Sequence, residues 1–420
     1  MKLMIFLLLC VLLLWRVQGK AEAGVLSPEP EQRAEYWLER LADKDKVLLN
    51  EQARNALNRR LGGVDFAAYP DRIEGDELTE KIKACHEWLL EKESYNRAGL
   101  VTEEAKERLV TACNLRAIAD GQPVRWAVTV RRCNLRNLPT QDCWAEEPGN
   151  WLFDRLQGTA LDPAEPVALL SESADGKMFF AQSRNYHGWV EREAVALATR
   201  QQLLAYAQPQ AFLVVTTNRV SVAGELYQLG ATLPLRQVKA DGWTVTVPVA
   251  DREGRLREKT AQVKRSASFH QGWLPCTRGN LLRMGFTCLG DKYDWGGMTD
   301  SVDCSSFVGN VYRTVGIELP RDADEQEEAA PLSLDFAEAE DRLELLRHAA
   351  PGDLLFRDGH VMLYLGEGAS GPAILHAFSR CQEDGKEVAR RRVAVTSAAY
   401  TLGSGESNLD ALTTAGKYLE

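Results

Sequence analysis

The 420-residue chain has no apolar run long enough to span a bilayer: the longest, Leu3 to Trp15, falls short of the roughly 20 residues that a spanning helix needs. A permanent membrane anchor is therefore not expected. The chain also lacks a basic surplus, with 50 Lys and Arg against 60 Asp and Glu and a net charge of −10. That balance argues against a nucleic acid or an anionic lipid surface held by bulk charge. No long tract is polar enough to stay unfolded, since 45% of residues are hydrophobic and 26% charged, the composition of a folded soluble protein. The length exceeds one ordinary core and predicts about two to four domains.

The apolar run itself follows Lys2 and gives way to RVQGKAEAG, with small residues at Ala21 and Ala23. This pattern predicts a secretory signal over residues 1–23, cleaved after Gly19 or Ala23, and a mature protein that works outside the cytoplasm. Cys10 lies inside the run rather than after it, so a lipid-modified cysteine is not expected. Eight cysteines follow the leader, at 85, 113, 133, 143, 276, 288, 304 and 381. An oxidising compartment permits disulfides, and Cys133 with Cys143 and Cys276 with Cys288 are close enough in sequence to pair. Buried thiols are an equal alternative, above all for Cys85 and Cys113 on the apolar faces of predicted helices.

Residues 24–122 read as helical: Leu78, Ile82, Cys85 and Leu89 recur at three- and four-residue steps, as do Ala105, Leu109 and Cys113, with Asn50 and Thr102 as N-caps. His86 reads as a surface or core histidine and not as a ligand. From Pro123 the period changes, and Trp126, Val128 and Val130 alternate as in a half-buried strand. Two β runs follow, over 123–199 and 200–277, and they share markers: Ala174-Asp175-Gly176 with Gly188-Trp189-Val190, then Ala240-Asp241-Gly242 with Gly272-Trp273-Leu274. They read as copies of one small barrel, the second lengthened by the charged hairpin DREGRLREKTAQ. Residues 278–420 read as α+β. A helix carries Phe307, Val308, Val311, Tyr312 and Val315 on one face and stops at Gly316 and Pro320. The strand candidates GDLLF, HVMLYLG and AILHAF follow an acidic stretch that reads as a solvated helix or loop.

Within this last region Cys304 stands where a loop rich in Gly and Asp becomes that helix. A thiol attacks only as thiolate. Asp303 as N-cap would place Cys304 in the first turn, where the helix dipole favours the anion. An imidazole could supply the remaining activation, and His360 and His376 in adjacent strands can face the helix start; His348 lies in a charged helix and reads as surface. Cys304 would then attack a carbonyl, His360 would take the proton and return it to the leaving amine, and His376 would fix the tautomer. The Cys304 N–H could meet the oxyanion. The residues alone leave three other roles open for Cys304: a buried thiol, a disulfide with Cys288 or Cys381, or a metal ligand. Separations of 56 and 16 residues between Cys304, His360 and His376 lack compact zinc-ligand spacing, so neither metal nor cofactor is expected.

The blocks YDWGG, DCSSFVGNVYRTVGIELPRDADEQ, PGDLLF, HVMLYLG and LHAF, in that order, resemble the NlpC-type cell-wall cysteine endopeptidases, a papain-like group. The resemblance implies a Cys304–His360–His376 triad and a multidomain chain: a helical N-terminal region, two SH3-like barrels and a C-terminal α+β papain-like domain. The paired barrels, the first with NLRNLPT and GWV, resemble the subgroup that cleaves peptidoglycan stem peptides or muropeptides between γ-D-glutamate and the diamino acid, with a free N-terminal L-alanine. That subgroup's substrate-binding positions fall on Asp303, which would hold the ammonium, and on Ser305, Tyr293, Trp295 and Tyr186. An amidase or acyl transferase on the same fold, or a non-catalytic cell-wall binding protein, is the alternative. One departure is Ser306, where the motif usually has glycine; another is the stretch from Glu327 to Arg347, longer and more acidic than the family's usual link, which is expected to rim the cleft.

Overall fold

The computed structural model describes residues 25–419; the signal expected over residues 1–23 lies outside them. Among the described residues no helix is long and apolar enough to cross a membrane. Helices Ala34–Arg40, Glu51–Arg60, Gly75–Ala84 and Glu103–Ala112 lie within residues 25–122. Asn50 and Thr102 cap two of them, each side chain accepting from a backbone N–H of the first turn. The helices divide between two cores. Trp37, Leu57 and Leu61 pack with the C-terminal domain, whereas Leu78, Ile82, Leu89 and Cys113 pack with Trp126, Trp144 and Trp189 of the first β run. His86 is buried.

The first β run is a seven-stranded antiparallel sheet in the order Val195–Ala198, Arg125–Thr129, Pro166–Glu172, Met178–Gln182, His187–Glu191, Cys133–Arg136, Gln157–Leu161. Its Gly-Trp step has a steric reason: a Cβ on Gly188 would stand 2.9 Å from the Arg136 carbonyl oxygen of the neighbouring strand, so only glycine allows Trp189 to enter the core. The second run is a five-stranded sheet in the order Leu256–Lys264, Gly242–Ala250, Thr232–Val238, Phe212–Val215, Phe269–Gln271. The charged segment forms its outer hairpin, paired from Gly242↔Lys264 to Ala250↔Leu256. The second tryptophan marker behaves differently from the first. Trp273 is half-buried, packs on Phe212 and covers Gly316, where a Cβ would meet it at 2.8 Å.

The C-terminal domain has a six-stranded antiparallel sheet in the order Leu332–Asp335, Leu412–Lys417, Leu354–Arg357, His360–Gly368, Gly371–Glu383, Lys386–Ser397. The amphipathic helix Cys304–Arg313 lies across its two central hairpin strands, burying Phe307, Val308, Val311 and Tyr312 against Leu363 and Leu375. Each such side chain contributes about 1.5–3 kcal/mol when fully removed from water. The acidic stretch does not rim the cleft described below. It forms strand Leu332–Asp335 at the sheet edge and helix Arg342–Leu346, and of its apolar residues Leu334, Phe336, Leu345 and Leu346 pack into the core cluster of Leu355, Met362 and Ile374. The eight cysteines from Cys85 to Cys381 are all free thiols, and seven of them are buried.

Buried charges tie the first sheet to the C-terminal domain. Glu165 receives Arg313, from the Cys304 helix, and Arg184. Burial alone would raise its carboxyl, but the two guanidiniums hold it below the ordinary value. Removing one partner of such a pair strands the other in low dielectric. Glu165→Ala should therefore cost about 3–5 kcal/mol, whereas breaking the exposed pair Arg236–Glu258 with Arg236→Ala should cost about 0–1 kcal/mol. Urea denaturation of both variants checks this, and equal losses would contradict it.

Candidate active site

Cys304 opens its helix because Asp303 caps it. Asp303 Oδ1 accepts from the Ser306 N–H at 2.8 Å, and Ser306 Oγ accepts from the Asp303 N–H at 2.9 Å, so two orphan donors are satisfied reciprocally. The serine found in place of glycine at 306 thus closes a capping box. Asp303 Oδ2 accepts from Arg321 Nη2 at 2.7 Å and from the Gly296 N–H at 2.9 Å. Arg321 also donates to Ser305 Oγ at 2.7 Å and, across the domain boundary, to Thr159 Oγ1 at 2.6 Å.

The loop before the helix is fixed from the first sheet. Trp295 Nε1 donates to the Gln157 carbonyl at 3.1 Å, and Gln157 Nε2 donates to the Gly296 carbonyl at 3.2 Å. Gly296 has φ +66° and a Cβ there would lie 2.4 Å from Gln157 Cγ, so glycine is required both for the backbone and for the space.

Three successive strands carry the histidines and their support. His360 follows the tight Asp358-Gly359 turn, opposite Arg357. Its Nε2 lies 2.9 Å from Nδ1 of His376, whose Nε2 lies 3.1 Å from Thr396 Oγ1. Both rings are buried, and His376 is stacked on Phe378.

The depressed thiol expected from the helix start is not found. Burial pushes Cys304 up to about 11 and the Asp303 charge adds to this, while the Val361 N–H, Arg321 and the Ser305 N–H act in the opposite sense. A helix terminus supplies only about 0.3–1 kcal/mol, less than burial takes away. Burial, Arg357 and His376 drive His360 well below 6.5. Burial and Arg357 bring His376 down to about 3. Burial thus favours the neutral thiol and the neutral imidazoles over the ion pair.

Cys304, 7% exposed, faces a cleft of about 310 Å³ between the first sheet and the C-terminal domain. Asp303, Ser305, Tyr293, Trp295 and Tyr186 line it with Cys304; His360 and His376 are buried beside Gly359, which lines it. Tyr186 packs against Gly158, where a Cβ would be 2.3 Å from the ring. Burial raises its hydroxyl and the Asp322 charge adds to that. Sequence reasoning passed over Arg321, Asp322 and Asp324 on one wall and Arg155 and Gln157 on the other. The run Pro320 to Gln326, charged directly after a helix stop, was the available signal for the first three. Asp303 already accepts from four donors, the fourth being Ser305 Oγ at 3.4 Å. Asp322, whose side chain is 48% exposed, is raised to about 6 by burial and by Glu325, Asp303 and Asp324, against Arg321.

Residues 290–382 match the NlpC/P60 family model, and residues 147–191 match that of an SH3 domain of the SH3b1 type. The chain thus carries an NlpC/P60 domain in its C-terminal part and a bacterial SH3 domain upstream. A curated relative, the gamma-D-glutamyl-L-lysine dipeptidyl-peptidase of Bacillus subtilis (strain 168), is 26% identical over 194 residues, 44% of this chain and 59% of that protein. The match thus spans less than two thirds of the relative's length. An NlpC/P60 endopeptidase from Photobacterium damselae subsp. piscicida has the same fold, with a TM-score of 0.77 at 17% identity over 96% of this chain and 99% of its own. An NlpC/P60 family protein from Bacillus cereus ATCC 10987 gives 0.50 at 19% identity, over 70% of this chain and all of its own.

A thiol raised to about 11 is almost wholly protonated at pH 7. Alkylation of Cys304 by iodoacetamide, followed by peptide mass spectrometry, should be slower at pH 7 than that of an ordinary exposed thiol and should rise about tenfold per pH unit up to at least pH 10. A rate already on a plateau at pH 7 would show a resting thiolate instead.

Proposed function

We propose that the protein is a peptidoglycan hydrolase that cleaves the γ-D-glutamyl–diamino acid bond of stem peptides or muropeptides with a free N-terminal L-alanine. The observation that supports this best is the position of Cys304: at a capped helix start, open to a cleft, in an NlpC/P60 domain that also holds the hydrogen-bonded His360–His376 pair. Cys304 Sγ attacks the amide carbonyl as its proton passes to His360, whose Nε2 is occupied by His376, so Nδ1 is the nitrogen that receives it. The thioester forms as His360 returns that proton to the departing amine. Water, deprotonated by the same imidazole, then hydrolyses the thioester and releases the thiol. The Cys304 N–H meets the oxyanion. Because the resting pair is neutral, proton transfer accompanies attack and does not precede it.

The ammonium of the stem is held by Asp322 together with Tyr186. Asp303, whose charge Arg321 already answers, keeps the geometry of Cys304 and Ser305. A desolvated ammonium requires a carboxylate with capacity left; Asp322 caps helix Ala323–Ala329 and lies 3.9 Å from Arg321, a lighter load than the four donors on Asp303. Trp295 and Tyr293 form the aromatic wall. In this reading residues 24–122 are the helical N-terminal domain, 123–199 and 200–277 are two SH3-like barrels, and 278–420 form the catalytic domain. The apolar run at residues 1–23 directs the protein out of the cytoplasm, to the cell wall.

Incubation with a defined stem peptide should release L-Ala-γ-D-Glu, read by mass spectrometry. Cys304→Ala should abolish release and His360→Ala should reduce it by about 10²–10⁴-fold; equal product from Cys304→Ala would refute the reading. Asp322 is charged only above about 6, so kcat/KM should fall as the pH drops through 6. Asp322→Asn should remove that limb and cost about 10–100-fold in kcat/KM, mostly in KM, the value of one hydrogen bond to a charged group. A stem whose amine is acylated should bind both proteins equally weakly.

A further inference from the structure

Two neutral imidazoles in series can hold their protons in only some arrangements. His360 can take the thiol proton at Nδ1 only if its resting proton is on Nε2. That Nε2–H must donate to His376 Nδ1, 2.9 Å away, which requires His376 to carry its own proton on Nε2. Among the described residues the partner of that nitrogen is Thr396 Oγ1, at 3.1 Å. A hydroxyl oxygen accepts there, and the three groups are then in one consistent order. If Thr396 could not accept, His376, fully buried, would carry an unpaired Nε2–H in low dielectric, which is costly. The alternative Nδ1–H form would avoid that cost by turning the His360–His376 bond round and placing a proton on His360 Nδ1, where it blocks transfer from the thiol.

Thr396 is on the last strand of the sheet, Lys386–Ser397, and an edge strand is free to slip by a residue, which turns each side chain to the opposite face. Residues 290–293 pair with this edge at 391–393, and the N-terminal segment closes it at Thr396. Leu26 forms an antiparallel bridge with Thr396 itself, and the Ser27 N–H donates to the Val395 carbonyl at 3.0 Å. Gln32 Nε2 donates to the same carbonyl at 2.9 Å, and its Oε1 accepts from the Val395 N–H at 3.4 Å. Val25 is buried among Phe378 and Tyr400, the rings that flank His376. Glu31 accepts from the Ala369 N–H at 2.7 Å and so secures the segment to the next hairpin.

Resting on the triad proposed above, we infer that Thr396 is a positioning residue that sets the tautomers of His376 and His360, and that the segment Val25–Gln32 is the clasp that keeps it in register. Thr396 touches neither substrate nor thiol, and it acts through His376. The charged and titratable groups around this pair are Cys304, Arg357 and Tyr400; among the described residues the atom that His376 Nε2 meets is the threonine oxygen.

Two-bond ¹⁵N–¹H correlation spectra of histidine-labelled protein report each tautomer directly. Wild type should show His376 as Nε2–H, and Thr396→Val should show a population of Nδ1–H. In Thr396→Val kcat should fall by roughly 10- to 100-fold, the range for a group that only orients another, with KM unchanged to within about twofold. Thr396→Ser, which keeps the oxygen, should restore both the tautomer and the rate. Wild-type tautomers in Thr396→Val, or a serine variant as impaired as the valine one, would overturn the inference. Should the valine variant fail to fold, Gln32→Ala loosens the clasp from outside the site and should give mixed tautomers; unchanged tautomers there overturn it equally. If wild type releases no L-Ala-γ-D-Glu, the proposed reaction fails, and the spectra still decide the role of Thr396.

Discussion

The buried pair of Asp303 and Arg321 is the interaction on which the rest of the site depends. One carboxylate caps the helix that begins at Cys304, receives the N–H of Gly296 and accepts a guanidinium that also reaches Ser305 and Thr159. Helix start, preceding loop and neighbouring sheet therefore share one electrostatic knot. A buried pair of this kind adds little net stability, since desolvation offsets most of the Coulombic gain. Its effect is on geometry: both charges are satisfied only when the C-terminal domain and the first sheet meet in one way, and that arrangement creates the cleft.

The same burial sets the protonation of the site. Removing Cys304, His360 and His376 from water favours their neutral forms, and this outweighs the dipole of the helix. A neutral resting pair asks more of tautomer control than an ion pair does, because a neutral imidazole accepts at only one nitrogen. This makes the hydrogen-bonded order from His360 through His376 to Thr396, and the N-terminal segment laid along the edge strand, part of the chemistry as well as of the fold.

Much of this was legible in the chain. The period of Phe307, Val308 and Val311 located the helix, Asp303 announced its cap, and His360 after Asp358-Gly359 placed a histidine at a hairpin start, because caps and tight turns are local in sequence. The repeated Gly-Trp marker was visible too, though its two copies serve different packing. What pattern did not reveal involved partners far apart. Arg321 and Thr159 are 162 residues distant, and Leu26 and Thr396 are farther still. Neither contact leaves a local signature. The helical start was legible as helix, but not its division between two cores, since apolar periodicity gives a face and not what the face meets.

The sequence by itself determined the elements, the caps, the acidic balance and the types of side chain available for thiol chemistry. Tertiary structure alone decided which donors surround Asp303, that burial works against the thiolate and which oxygen lies next to His376. The physical reason is that solvation and charge pairing depend on the full set of neighbours within a few ångströms. Here those neighbours arrive from the N-terminal segment, the first sheet and three strands of the last domain.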